Sequence, residues 1–197
     1  MAASARVVSS RSLPKKQPVV IDLGSAFIRC GFAGEPRPIH VIPFSFCGNS
    51  GGDDGGDDNS ARTREEWVEI LTGVLSRLYT ESLQCRPRER KVVVCESMVS
   101  PRPFREAVAH VLFRFLQVPS LHMCAGPAPA LFCTGLDTGM VLDVGHSEAH
   151  VVAIYKGANI MSSYAGAPLG FLAVQERVEE LLAEEEQAAG VGSAGGR

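Results

Sequence analysis

Short apolar runs alternate along this chain with longer stretches in which apolar residues recur every three or four positions. Val19-Val20-Ile21 is a β-branched run that suits a buried strand, and Phe27 to Phe32 reads as its return strand. Gly24-Ser25-Ala26 between them are small turn residues, so the stretch predicts a β-hairpin. Met140-Val141-Leu142-Asp143-Val144-Gly145-His146 repeats the pattern of Val19 to Ser25, with Asp143 lying 143 − 22 = 121 positions after Asp22. His150 to Tyr155 supplies a second return strand. A helix is expected from Thr63, where Thr63 and Glu66 have capping-box spacing and Trp67, Ile70, Leu71, Val74, Leu75 and Leu78 form one stripe. Lys91 to Cys95 reads as a buried strand. Ser100-Pro101 reads as an N-cap followed by proline at the first helical position, with Phe104, Val108, Val111, Leu112 and Phe115 as the stripe. Leu121 to Cys124 predicts a short strand, and Pro127 to Cys133 a short helix ended by Gly135. Ile160 to Tyr164 is a further candidate strand, and Val174, Val178, Leu181 and Leu182 stripe a last helix with an acidic outer face. Alternating strands and helices predict an α/β layered domain, and the repeated hairpin predicts a duplicated fold.

The pattern breaks in three places. Residues 1–18 are Ser-rich and basic, which suits a disordered tail, with a targeting segment as the alternative. Glu35 to Ala61 loses periodicity, and its centre, G-N-S-G-G-D-D-G-G-D-D-N-S, reads as a solvated linker over 45–62. Its acidic spacing does not fit a helix-flanked calcium loop. The Gly-rich end, within 188–197, reads as a second tail. The division expected is a first domain over 19–135 and the start of a second over 136–187.

Composition narrows the function classes. The chain has 197 residues, 45% of them hydrophobic, and a net charge of −3, so nothing favours nucleic acid or an acidic membrane as partner. No apolar run is long enough to span a bilayer. The six cysteines, at 30, 47, 85, 95, 124 and 133, form no C-x-x-C and read as reduced core residues of a cytosolic protein.

An aspartate at the end of a buried strand is costly unless its charge is used. Asp22 and Asp143 both precede small-residue turns whose amides could face an anion, a combination that suits phosphate with hydrated Mg²⁺. The plainer alternative is an ordinary hairpin with a hydrogen-bonded Asp. H-S-E-A-H, from His146 to His150, lacks the H-E-x-x-H spacing of zinc proteases and falls on a hairpin, so a catalytic metal is disfavoured. Met123, Phe104, Phe113 and Phe115 read as core.

Two Asp-x-Gly hairpins a domain apart resemble the superfamily of actin, Hsp70 and sugar kinases. G-F-A-G-E-P, Gly31 to Pro36, narrows the likeness to the actin-related proteins. V-V-V-C-E-S, F-R-E-A-V-A-H-V-L-F-R-F-L-Q-V-P-S and M-V-L-D-V-G-H-S-E-A-H-V-V-A-I-Y-K-G extend it from Val19 to about Gly170. The resemblance implies an actin-like, ribonuclease H-like fold with a mixed sheet and a second domain only partly present. It implies that Gly24, Ser25 and the amides of Ala26 and Phe27 face the nucleotide phosphates. Arg29 stands where actin has a phosphate-binding Lys, and Gly145 and His146 form the second turn. Asp22 and Asp143 would hold Mg²⁺ through water, with ATP or ADP as the nucleotide.

The resemblance also implies impaired hydrolysis. The water-positioning Gln of actin falls at Gly126, the second-loop Asp falls at His146, and His150 matches a water-ordering His. No catalytic residue is assigned, and nucleotide binding with very slow turnover at most is expected. Half a cleft leaves base and ribose without walls, which implies weak or no binding by this chain alone. The function implied is a structural subunit of the cytoplasmic cytoskeleton, capping the pointed end of the short actin-like filament of dynactin. Its partners would be the filament subunits and the other pointed-end subunits, and its role support of microtubule transport. The short, polar segment after the first hairpin has nothing to insert into a next subunit. An actin-like ATPase that joins filaments is the alternative, and a sugar kinase a third that the missing substrate domain disfavours.

Overall fold

In a computed structural model, residues 16–44 and 62–192 are described. They form eight strands and four helices in two sheets. The first sheet has β1 (Val19–Leu23), β2 (Phe27–Phe32), β3 (His40–Pro43), β4 (Val92–Glu96) and β5 (Leu121–Ala125), in the order β3-β2-β1-β4-β5. β1 pairs with β2 antiparallel and with β4 parallel, so the sheet is mixed. The second sheet has β6 (Gly139–Val144), β7 (Ala149–Tyr155) and β8 (Ala158–Ala167), in the order β6-β7-β8 and antiparallel throughout. The helices are α1 (Arg64–Arg77), α2 (Arg102–His110), α3 (Pro127–Phe132) and α4 (Phe171–Gly192). The expected α/β architecture with a mixed sheet is therefore present, with five strands in the first sheet and three in the second.

β3 lies within the stretch that shows no periodicity. Its four residues are half-buried in alternation and stop at Pro43, too short to leave a pattern. α1 starts as its sequence predicts: the Thr63 side chain accepts from the Glu66 amide, and the Glu66 carboxylate takes the Thr63 amide at 2.7 Å. α2 starts one residue later than expected. Pro101 is the N-cap, and the Ser100 hydroxyl donates instead to the Ser97 carbonyl at 3.0 Å.

Both α1 and α2 end in a π-helical turn, Leu78–Ser82 and Val111–Phe115, each followed by a leucine and then a glutamine at positive φ, Gln84 and Gln117. A π turn rotates the following residues off the 3.6-residue stripe. Tyr79 is thereby buried, while Phe113 and Phe115, expected in the core, are 46% and 54% exposed. Phe104 is buried and Met123 packs against the core as expected.

The main core joins Val19, Ile21 and Leu23 of β1 to Trp67, Leu71 and Leu75 of α1 and Phe104, Val108 and Leu112 of α2. A smaller cluster joins Leu131 of α3 to Val152 and Ile154 of β7. Of the cysteines described, only Cys30 is buried; Cys85, Cys95 and Cys124 are half-buried, and Cys133 is exposed. Cys47, in the linker, lies outside the described residues. At the start, Lys16 pairs with Glu89 and the Gln17 carbonyl accepts from Arg90 at 2.8 Å, so 16–18 are tied to the loop before β4 rather than belonging to the tail. α4 runs to Gly192, into the stretch read as the second tail. Residues 1–15, 45–61 and 193–197, which hold the rest of both tails and the linker, lie outside the described residues. Among those described, no helix is long and apolar enough to cross a membrane.

Candidate functional site

The two hairpins are copies of one another at the level of single hydrogen bonds. Within each, Cα partners match at the offset of 121: Val20 faces Gly31 as Val141 faces Val152, and Asp22 faces Arg29 as Asp143 faces His150. The Gly24 amide donates to the Phe27 carbonyl at 3.1 Å, and the Gly145 amide donates to the Glu148 carbonyl at 2.8 Å. Those contacts explain both glycines. A Cβ on Gly24 would sit 2.9 Å from the Phe27 oxygen, and one on Gly145 3.2 Å from the Glu148 oxygen.

Each aspartate meets a basic residue on the neighbouring strand. Arg29 Nη1 lies 3.0 Å from Asp22 Oδ2. His150 Nε2 lies 3.7 Å from Asp143 Oδ2. The Asp22–Arg29 pair is nearly half-exposed, so water screens it and it stabilises the fold little. His150 differs: it is buried, and neither ring nitrogen has a hydrogen-bond partner among the described residues. A buried imidazole without partners is expensive and points to a polar group beside it that protein atoms do not supply.

Both turns open onto one cavity of about 650 Å³. Every residue singled out in the sequence lines it: Asp22, Gly24, Ser25, Ala26, Phe27 and Arg29 from the first hairpin, and Asp143, Gly145, His146 and His150 from the second. Gly126, at the end of β5, forms part of the wall, and a Cβ there would meet only the Glu96 carbonyl at 3.8 Å. The place expected to hold a water-positioning side chain is open space.

Glu96 was missed. It ends β4 and lines the cavity, with its side chain 5% exposed and Oε1 held by Arg105 at 2.9 Å. Burial pushes its carboxyl above the ordinary carboxylate range, with Arg105 and Ser100 pulling it partly back. The signal was present: V-V-V-C-E places an acid at the end of a buried strand, as V-V-I-D does. Ser97, Ser147, Glu148 and Phe171 complete the rim; Phe171 stacks on His146 with ring centroids 6.0 Å apart. Among the described residues, no group of three His, Cys, Asp or Glu side chains is placed to hold a metal directly.

The Actin family model matches residues 13–189 of the chain. The chain belongs to the actin family. It is 27% identical over 191 residues to human actin-like protein 7A, a match that covers 82% of this chain and 44% of the relative. To actin-related protein 10 of Dictyostelium discoideum it is 26% identical over 196 residues, covering 86% and 41%. To mouse actin-like protein 7B it is 28% identical over 172 residues, covering 75% and 41%. The chain thus spans less than half the length of these curated relatives. At such similar identities no one relative is singled out.

The residues present fit a phosphate with a hydrated cation. Four carboxylates, Asp22, Glu96, Asp143 and Glu148, and the Arg29 guanidinium line the cavity, two tight turns face it, and the ring of His150 stands where ordered water would satisfy it.

Proposed function

We propose that this chain is a structural actin-family subunit that ends an actin-like filament and holds a nucleotide with little or no turnover. The observation that supports it is the shared cavity: paired turns and paired carboxylates open into it, while Gly126 offers no side chain to hold a water. In this reading Ser25 and the Ala26 and Phe27 amides take phosphate oxygens, together with Gly24, Gly145 and His146 of the two turns. Arg29, paired with Asp22 at 3.0 Å, would supply positive charge to the phosphates. Asp22 and Asp143 hold the water shell of Mg²⁺, which would neutralise phosphate charge when bound. His150 would hold a water in the cavity, and no residue of the chain is assigned as base.

The filament would be the short actin-like filament of dynactin, with this subunit at its pointed end, in the cytoplasm. Its partners would be the filament subunits and the neighbouring pointed-end subunits. The similarity to a protein named actin-related protein 10 supports an actin-related role, and the polar segment over 45–62 supports a place at a filament end. A cap must bind the last subunit and offer no equivalent surface to the next, because head-to-tail contacts otherwise propagate.

A slowly hydrolysing ATPase that joins filaments is the second reading, supported by the retained Asp pair and Arg29. Two measurements separate them: ATP turnover by the purified chain, and its binding to filaments sheared to different lengths. The first reading expects no turnover above the buffer blank and a bound amount that follows the number of ends. Turnover comparable with actin, or binding in proportion to filament mass, overturns it.

A further inference from the structure

Four strands of the first sheet carry one row of charged and sulfur-bearing side chains. Arg29 on β2 is the Cα partner of Asp22 on β1, Asp22 of Cys95 on β4, and Cys95 of Cys124 on β5. Directly paired residues point to the same face of a sheet, so the two cysteines share the face of the Asp22–Arg29 pair. Their Sγ atoms lie 3.6 Å apart. Both are half-buried, whereas Cys30 is enclosed in the core.

The two sulfurs are not equivalent. Cys124 donates to the Val94 carbonyl at 3.6 Å, which leaves Cys95 as the donor between the thiols. A sulfur that accepts an S–H bond holds thiolate charge better, so Cys124 is the nucleophile of the pair. Neighbouring strands lie about 4.8 Å apart, inside the Cα separation of about 4.4–6.8 Å that a disulfide takes. Closing the sulfurs to about 2.05 Å therefore needs side-chain rotation and little backbone movement. The row also borders the cavity. Glu96 follows Cys95, Gly126 comes two positions after Cys124, and both line the wall. The Gly126 amide donates to the Glu96 carbonyl at 3.1 Å, so the two strand ends meet there. Cys133 is placed differently: it is exposed just after α3 and donates to the Pro129 carbonyl at 3.4 Å.

We propose that Cys95 and Cys124 are a redox-sensitive dithiol, which a low-molecular-weight disulfide closes to a cross-strand disulfide that stiffens the cavity wall at Glu96 and Gly126. Cys124, as thiolate, attacks one sulfur of the oxidant. The oxidant's sulfur–sulfur bond breaks, and its first half leaves as a thiol with the proton that Cys124 gave up. Cys95 then attacks the Cys124 sulfur of the mixed disulfide, and the second half leaves as a thiol with the Cys95 proton. The two cysteines lose two electrons, and the oxidant takes them up as it becomes two thiols. In a reducing compartment a protein disulfide of this kind is transient and acts as a sensor. The inference goes beyond the filament-end reading and stands apart from it, since closure needs neither a nucleotide nor a filament.

The test is to treat the folded, reduced 197-residue chain with oxidised glutathione, quench it in acid with an alkylating agent, and map the peptides. The expected product is lighter by two hydrogens, with Cys95 linked to Cys124, and dithiothreitol reverses it. Cys95→Ser should trap glutathione on Cys124, and Cys124→Ser should abolish the link; far-UV circular dichroism checks that both variants fold. Glutathione on Cys133 is the control, present in the parent and in both variants. Amide exchange at Gly126 should slow at least about threefold when the parent chain is oxidised. Absence of the link in the folded parent chain overturns the proposal, whatever the variants do. So does a link that forms only in urea, a main product that joins either cysteine to a different one, glutathione trapped on Cys95 rather than Cys124, or Gly126 exchange that ignores oxidation. Loss of pyrophosphate binding alone would leave it standing, which separates it from the nucleotide reading.

Discussion

Ile21→Ala and Leu142→Ala make the same kind of truncation at the same position of the two repeats, so they isolate what covers each sheet. Ile21 is fully buried between β1's neighbours and the α1 and α2 side chains. Removing three carbons there forfeits about 0.8 kcal/mol each in transfer free energy. The cavity left behind adds to that, so the cost should fall in the range of about 2–5 kcal/mol. Leu142 is 67% exposed, and its truncation should stay within about 0.5 kcal/mol. Urea unfolding followed by the single tryptophan reads the first effect directly, because Trp67 lies in the same cluster as Ile21. Far-UV circular dichroism must follow the second, since the second sheet has no tryptophan. If Leu142→Ala costs more than about 1 kcal/mol, its face is covered in solution and the contrast between the sheets is wrong. If Ile21→Ala costs less than that, β1 does not sit in the core described.

Other outcomes follow from single contacts. Thr63→Ala removes the cap of α1 and should cost about 1 kcal/mol in the same urea assay; an unchanged midpoint would mean the box is not formed. Glu66 is held below the ordinary carboxylate range by the Thr63 backbone and side chain, so its contribution is present above that range and fades as pH falls through the lowered value. A Thr63→Ala variant whose deficit stays constant on acidification would contradict this. Gly24→Ala should destabilise more than Gly145→Ala, because its Cβ would meet a carbonyl at 2.9 Å rather than 3.2 Å; the reverse order, by thermal unfolding, would refute the turn geometry. Glu96 has its pKa raised by burial, so the native state keeps this proton longer than the unfolded chain and stability falls as pH rises through the raised value. Glu96→Gln should remove that part of the slope, and a variant parallel to the parent at every pH would show that Glu96 is not buried.

The hairpins were legible because the side-chain alternation and the strand-end aspartates are both local signals. Their equivalence ran deeper than the motif suggested. The offset of 121 that relates Asp22 to Asp143 also relates Arg29 to His150, which are different residue types and so invisible to pattern matching. β3 was hidden because four residues that alternate between half-buried and exposed are too few to establish a period. Phe115 was misplaced because a stripe assumes 3.6 residues per turn, and the π turn at Val111–Phe115 breaks it; Phe113, off the stripe, was read as core from its aromatic type alone. Glu96 was overlooked although the reasoning applied to the two aspartates covers it equally. The exposure of Met140, Leu142 and Val144 could not be read at all: an apolar strand says that it wants cover, not whether the cover is present.

The central claim is that both repeat turns serve one cavity and respond to one anion. Amide chemical shifts of Ser25, Ala26, His146 and Ser147, followed while magnesium pyrophosphate is added, test it most directly. Pyrophosphate needs no base or ribose walls, so the chain should suffice even with half a cleft. The account predicts that both turns shift together along one saturating curve, and that Asp22→Asn and Asp143→Asn each weaken it. Movement in one turn only, or in neither at millimolar ligand, would contradict it.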